Sequence, residues 1–347
     1  MISLSEAETT RKTPLYDSVG EDVICKVCER RCRISPGQKG FCGTKMNING
    51  ELYTVVYGDL SAMESRPIEI KPFYHYWPGS SAMTISTWSC NFRCPWCQNW
   101  HLSRRLPDPS TATFTPPEFV IERAKRAKDK GICVSFNEPT LLFEYSLDLF
   151  KLARKEGMYC CFVSNGYMTE EALKMLHSAG MDGLKIDVKG GKEAYRKIIG
   201  GADWRIPWRN AKLALMLGIH VEIVYLVVPG VNDSKEDIAL AVDMHLRELG
   251  SEVPIHFTRY FPAHLYTKPP TPIKKLEYAR NTAIEAGINF VYIGNVPGHE
   301  GENTYCPDCG KLLIRRFGPR VVRSNLTNEM TCPGCGRKIP ITGDLMA

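Results

Sequence analysis

No uninterrupted apolar stretch in the 347 residues reaches the length needed to cross a bilayer, so no membrane-spanning helix is expected. The opening residues, Met1 to Arg11, are polar and partly acidic, and they lack the basic-then-apolar order of a secretory signal. A cytoplasmic protein is therefore predicted. A strong excess of one charge is also missing: the net charge of +6 is modest and by itself implies no nucleic-acid partner. No general acid or base is singled out by the sequence.

Cysteine, by contrast, is abundant. In a chain without an export signal, the 14 cysteines argue for metal binding rather than a disulfide scaffold. Most fall into three groups: Cys25, Cys28, Cys32 and Cys42; then Cys90, Cys94 and Cys97; then Cys306, Cys309, Cys332 and Cys335. Cys133, Cys160 and Cys161 lie in apolar segments and read as core thiols. The central three are spaced by three residues and then two. A [4Fe–4S] cluster takes four thiolates when closed, so three from one loop leave an iron open to a non-protein ligand. Structural zinc would favour paired knuckles, and chance clustering is the plainer alternative.

The flanks suit paired knuckles better. Cys306-Pro-Asp-Cys309-Gly and Cys332-Pro-Gly-Cys335-Gly form a four-thiolate ribbon for which zinc is expected, with iron as the alternative. Lys311, Arg315, Arg316, Arg320, Arg323, Arg337 and Lys338 surround it, but the sparse aromatics favour a solvated face over an RNA-binding one. Cys25, Cys28, Cys32 and Cys42 suffice for one closed site, with structural zinc favoured over an iron–sulfur cluster although the gaps fit neither pattern well.

From about Ala82 to Gly294 short β-rich runs alternate with helical patterns, which predicts βα units around a parallel sheet. The expected strands are Met83–Thr87, Ile132–Phe136, Tyr159–Val163, Leu184–Asp187, His220–Val227, Ile255–Thr258 and Asn289–Ile293. Helices are expected near Pro117–Lys130, Leu141–Glu156, Thr169–Ser178, Lys192–Ile198, Pro207–Leu217, Ser234–Leu249 and Ile273–Ala286, with Thr169 and Ser234 as caps. Such units form an open sheet or a barrel, and composition does not choose between them.

Cys90-x3-Cys94-x2-Cys97, with Trp96 before the last cysteine, resembles the signature of radical S-adenosylmethionine (SAM) enzymes. The resemblance implies an α/β fold, a partial (β/α)6 barrel with the cluster loop after its first strand, a [4Fe–4S] cluster, SAM on the fourth iron and Trp96 near the adenine. It divides the chain into an N-terminal Cys-rich extension (1–80), the barrel (81–298) and a C-terminal four-cysteine ribbon (299–347).

Functional residues of barrels gather at the carboxyl ends of strands. Asn137-Glu138-Pro139 resembles the glycine-glycine-glutamate-proline motif that holds the SAM ammonium, with Phe136-Asn137 in place of the two glycines. Ser164 and Asn165 offer groups for ribose hydroxyls, and Asp187 and Lys189 resemble the aspartate and lysine of pyruvate formate-lyase activating enzymes. Arg259 is expected to hold a carboxylate at the mouth, and Asn295 and Val296 to approach adenine through the backbone. A turn, a strand-end ion pair or a surface salt bridge would explain several of these equally.

Over nearly its whole length the chain is similar to the radical SAM member of the AmmeMemoRadiSam group, through Gly40-Phe41-Cys42, Lys71-Pro72-Phe73-Tyr74-His75, Cys97-Gln98-Asn99-Trp100, Gly294-Asn295-Val296-Pro297-Gly298 and Leu313-Ile314-Arg315. That implies an electron donor such as ferredoxin or flavodoxin and association with Memo-like and AMMECR-like proteins. It also implies reductive cleavage of SAM to methionine and a 5′-deoxyadenosyl radical that takes hydrogen from a protein or small-molecule substrate, as a glycyl-radical activase would. The rival of another class is a non-catalytic zinc adaptor gripping RNA or a partner protein.

Overall fold

The expected strands are rich in β-branched residues, and those at Gly131–Val134 and Tyr159–Ser164 are buried almost throughout, which is what a parallel sheet covered on both faces demands. The computed structural model describes residues 7–108 and 110–346. Its largest sheet has eight strands: β1 (Ala62–Pro67), β2 (Ser81–Ser86), β3 (Gly131–Val134), β4 (Tyr159–Ser164), β5 (Gly183–Val188), β6 (His220–Val227), β7 (Ile255–Arg259) and β8 (Val291–Gly294). They lie side by side in chain order; β2 to β8 run parallel, and β1 pairs antiparallel with β2.

Six helices make the crossovers: α1 (Pro117–Ala127), α2 (Phe143–Lys155), α3 (Glu170–Ser178), α4 (Ile206–Met216), α5 (Lys235–Leu249) and α6 (Ile273–Glu285). Six βα units followed by a seventh parallel strand make the partial barrel the resemblance implied. Strand β1 was not foreseen, because Ala-Met-Glu-Ser-Arg-Pro is short, polar and ends in proline, as edge strands often do. It lies within the stretch expected as the N-terminal extension, yet it hydrogen-bonds into the barrel sheet.

Local chemistry sets the helix ends. Thr169 accepts from the Ala172 amide, and Ser234 and Asp237 form a reciprocal capping box. Helix α1 stops three residues before the expected Lys130, because Lys128 turns left-handed and its amide closes the last turn. Lys192–Ile198 was expected to be an α-helix; Ala194–Ile198 is instead a single π-helical turn. Cys133, Cys160 and Cys161 are fully buried, as expected of core thiols.

Residues 73–78 and 340–346 close the amino-terminal end of the barrel. Glu222, fully buried on β6, accepts from the Tyr74 and His75 amides at 2.8 Å each and lies 2.7 Å from His256 Nε2 and 3.1 Å from His220 Nε2. The Trp77 amide donates to Thr342 O, the Thr342 amide to His75 O and the Met346 amide to Pro78 O. Arg316, from the C-terminal three-stranded sheet, donates to Tyr74 O at 2.8 Å.

Burial pushes His75 down to about 3, so the ring is neutral in the fold. The unfolded chain therefore binds the extra proton once pH drops below the ordinary histidine value near 6.5. The stability His75 contributes is complete above that value and is lost progressively as pH falls toward 3. At pH 5.5 the loss is about 1.4 kcal/mol from this ring alone. Thermal unfolding should move down by a few degrees between pH 7.5 and 5.5; a flat profile would contradict a neutral His75.

Candidate active site at the carboxyl ends of the strands

Strand β2 delivers the chain into a loop, Thr87–Cys97, whose cysteines line one cavity of about 730 Å3 with Phe92, Trp96, Asn99, Asn165, Asp187 and Lys189 among the other walls. The loop turns at Ser89 with a left-handed φ of 70° and is held by its backbone oxygens. Asn137 Nδ2 donates to Thr87 O and Ser89 O at 2.7 Å each, Arg93 to Cys90 O at 2.6 Å and Arg104 to Cys94 O at 2.7 Å. With the backbone fixed by these side chains, the three sulfurs share one space.

Burial pushes the Cys90 and Cys94 thiols up. Ionised thiolates here therefore need a cation beside them, which is what a metal ligand set supplies. Among the described residues, only Cys306, Cys309, Cys332 and Cys335 bring three or more candidate metal-ligand atoms all within 4.8 Å of one another. There the closest pairs are 3.4 and 3.6 Å apart, near the ~3.8 Å that four thiolates around one tetrahedral ion imply. Cys90, Cys94 and Cys97 stand wider, as a body larger than one ion requires. The buried Ser89 Oγ and Asn137 Oδ1 have no partner. Donor set and spacing together fit a [4Fe–4S] cluster with one open iron.

Phe136 explains how one of the two glycines can be replaced. It sits at φ 68°, the left-handed conformation glycine favours, with its carbonyl accepting from Asn99 Nδ2 at 2.5 Å. For a bulky side chain this is strained, and such strain collects at working sites.

Glu138 is placed otherwise than expected. It is fully buried, and its carboxylate accepts from the Thr140 amide (3.1 Å), Thr140 Oγ1 (2.5 Å), Ser164 Oγ (2.8 Å) and the Asn165 amide (2.8 Å). It lines neither cavity, since its oxygens are spent tying the exit of β3 to that of β4. Ser164 likewise engages its hydroxyl with Glu138 and the Gly166 amide, and it lines neither cavity. Asn165 does reach the cavity wall, with its side chain bonded to Asn91 Oδ1 and the Tyr167 amide.

A second, larger cavity of about 970 Å3 adjoins the first and shares Asn99, Phe136, Asn137, Asp187 and Lys189 as walls. Asp187 lies between Lys185, with which it pairs closely, and Lys189 Nζ at 3.8 Å. Burial opposes both charges on the Asp187–Lys189 pair, yet the lysines hold Asp187 below the ordinary carboxylate range and Asp187, with Cys94 and Cys90, holds Lys189 up. Lys71, bonded to Thr84 Oγ1 at 2.6 Å, and Arg66 add two more cations to this wall.

Lys185, Lys71 and Arg66 were not foreseen. Lys185 was hidden in an apolar strand, although residues 185, 187 and 189 share one face at the period of two. Arg66 belongs to the unforeseen edge strand and Lys71 to the segment after it.

Arg259 does not face either cavity: its Nε donates to Thr271 O at 2.9 Å and its guanidinium lies 5.1 Å from the Phe261 ring centre. Its carbonyl holds Asn295, which lines the larger cavity at a left-handed φ of 61°, while Val296 packs against the barrel core. Trp96 is buried, edge-on to Tyr266 at 5.9 Å, in the wall of the smaller cavity.

Residues 84–242 match the family described as the Radical SAM superfamily. The chain is 41% identical to an uncharacterized protein of Methanocaldococcus jannaschii over 95% of this chain and 99% of that one. It is 27% identical to the pyruvate formate-lyase-activating enzyme of Streptococcus mutans over 43% of this chain and 60% of that one. Among solved structures, a radical SAM methyltransferase from Sphaerobacter thermophilus aligns over 65% of this chain and 71% of that one, at 14% identity and a TM-score of 0.49.

Proposed function

Because this chain belongs to the radical SAM superfamily, we propose that it cleaves SAM reductively and uses the product to take hydrogen from a small anionic substrate. When bound, a [4Fe–4S] cluster on Cys90, Cys94 and Cys97 with SAM on its open iron supplies methionine and a 5′-deoxyadenosyl radical. The observation that carries this reading is the shared wall: three thiols open on one cavity that adjoins a second.

The chain's own residues orient and shield. Trp96 gives the smaller cavity an apolar face, and Asp187 and Lys189 stand at the boundary, suited to the ammonium and carboxylate of an amino acid. Beyond them Arg66, Lys71 and Lys185 outnumber the acids on the wall, so a carboxylate or phosphate is the complementary guest. The terminal four thiolates take zinc in this reading and hold the ribbon whose Arg316 reaches the barrel floor.

The test is anaerobic reconstitution with iron, dithionite and SAM, assayed for 5′-deoxyadenosine with fractions of a cell extract. Small anions held by an anion exchanger should stimulate its formation. A colourless protein that does not cleave SAM would overturn the reading and return the zinc adaptor. Stimulation by a macromolecular fraction alone, with a glycyl-radical EPR signal, would favour the activase role suggested by the name of the Streptococcus mutans relative. Stripping the terminal ion with a chelator should lower the melting temperature by several degrees while cluster absorbance persists, measured by calorimetry and zinc content.

A further inference from the structure

Cys25 ends a short strand and Cys28, Cys32 and Cys42 lie farther along the N-terminal segment, yet all four line one recess. No three of their sulfurs lie within 4.8 Å of one another, in contrast to the terminal ribbon of the same chain. Four thiolates around a single zinc, each ~2.3 Å from the ion, would stand ~3.8 Å apart. These four cysteines surround a common space at wider separation.

The walls of the recess carry donors with nothing to donate to. Asn91 is 1% exposed and its Nδ2 has no partner, and Arg30 Nη2 is buried without one. Both residues line the recess. Unpaired buried donors are rare enough in native proteins to call for an acceptor. The Phe41 amide already donates to Cys32 Sγ at 3.4 Å, as backbone amides do to cluster sulfurs. Val27, Ile34 and Leu141 supply apolar walls, and Arg30 and Arg93 lie 3.9 and 4.2 Å from the Phe41 ring centre at the rim.

We propose that Cys25, Cys28, Cys32 and Cys42 hold a second [4Fe–4S] cluster, in place of the zinc favoured from their spacing. Inorganic sulfide gives Asn91 Nδ2 and Arg30 Nη2 their missing acceptors, and four thiolates cap every iron, so this site has no vacancy for SAM. Its position is specific: Asn91 directly follows Cys90 in the chain, so one residue lines the recess while its neighbour lines the active-site cavity.

The decisive protein is the triple variant Cys90→Ala, Cys94→Ala, Cys97→Ala, reconstituted anaerobically with iron and sulfide. It should stay brown and bind about four iron and four sulfide per chain, with an EPR signal on reduction, and adding Cys28→Ala together with Cys32→Ala should abolish these, since two thiolates no longer hold four irons. A colourless triple variant carrying two zinc ions per chain would overturn the proposal, as would iron and sulfide that survive Cys28→Ala combined with Cys32→Ala. If the triple variant fails to fold by circular dichroism, Cys28→Ala with Cys32→Ala in the otherwise unchanged chain decides: loss of about four iron and four sulfide per chain supports a second cluster and an unchanged count excludes it. This count is separate from the proposed reaction, because failure to cleave SAM leaves it unchanged.

Discussion

Cys94→Ala is expected to reduce 5′-deoxyadenosine formation to background while leaving the chain folded. The Cys94 sulfur is one of three that line the smaller cavity, and a cluster deprived of one of its three thiolates is no longer held. The fold survives because the loop is anchored through its backbone: Arg104 still reaches residue 94's carbonyl, and Asn137 still holds Thr87 and Ser89. Deoxyadenosine by chromatography, iron content and a melting curve together check this. Wild-type turnover in the alanine variant would remove Cys94 from the reaction, and collapse of the melting temperature would make the thiol structural instead.

Glu138→Ala should be among the most destabilising single changes in the barrel, at about 3–5 kcal/mol. The carboxylate takes four hydrogen bonds in a site without solvent, and truncation orphans the donors of Thr140, Ser164 and Asn165 at once. Each buried donor left unpaired costs about 1–3 kcal/mol, and the cavity adds to it. Glu138→Gln keeps the volume but sets an amide N–H against either the Asn165 amide or the Thr140 donors, and should cost about half as much. Denaturant titration separates the two, and a near-neutral alanine variant would show that the tie between β3 and β4 is unimportant.

These two residues mark where sequence reading succeeds and where it stops. The cysteines announce themselves because three ligands in one loop make a local pattern. The strands and helices are legible for the same reason, since burial on both faces and the period of a helix are written in neighbouring residues. Glu138 was visible as important but not in its role, because the Ser164 and Asn165 groups that use up its oxygens lie on another strand. The placing of Arg259 was hidden in the same way: its turn toward Thr271 and Phe261 depends on the path of the following loop. Glu222 and its histidines, the barrel floor and the cationic wall of Arg66 and Lys71 leave no local pattern, since each is assembled from distant stretches.

The floor carries a kinetic consequence. His75 and Pro340, which meet there, are 265 positions apart in the chain. At ribosomal rates near 5–20 residues per second, Pro340 emerges roughly 13–50 s after His75. The parallel strands between them can pair meanwhile, so Glu222 and His256 wait in water beneath a sheet already formed above. Closing that end is then the last and most non-local event of folding, and slow for that reason. A pulse of hydrogen exchange during refolding should find the Tyr74 and His75 amides among the last to become protected.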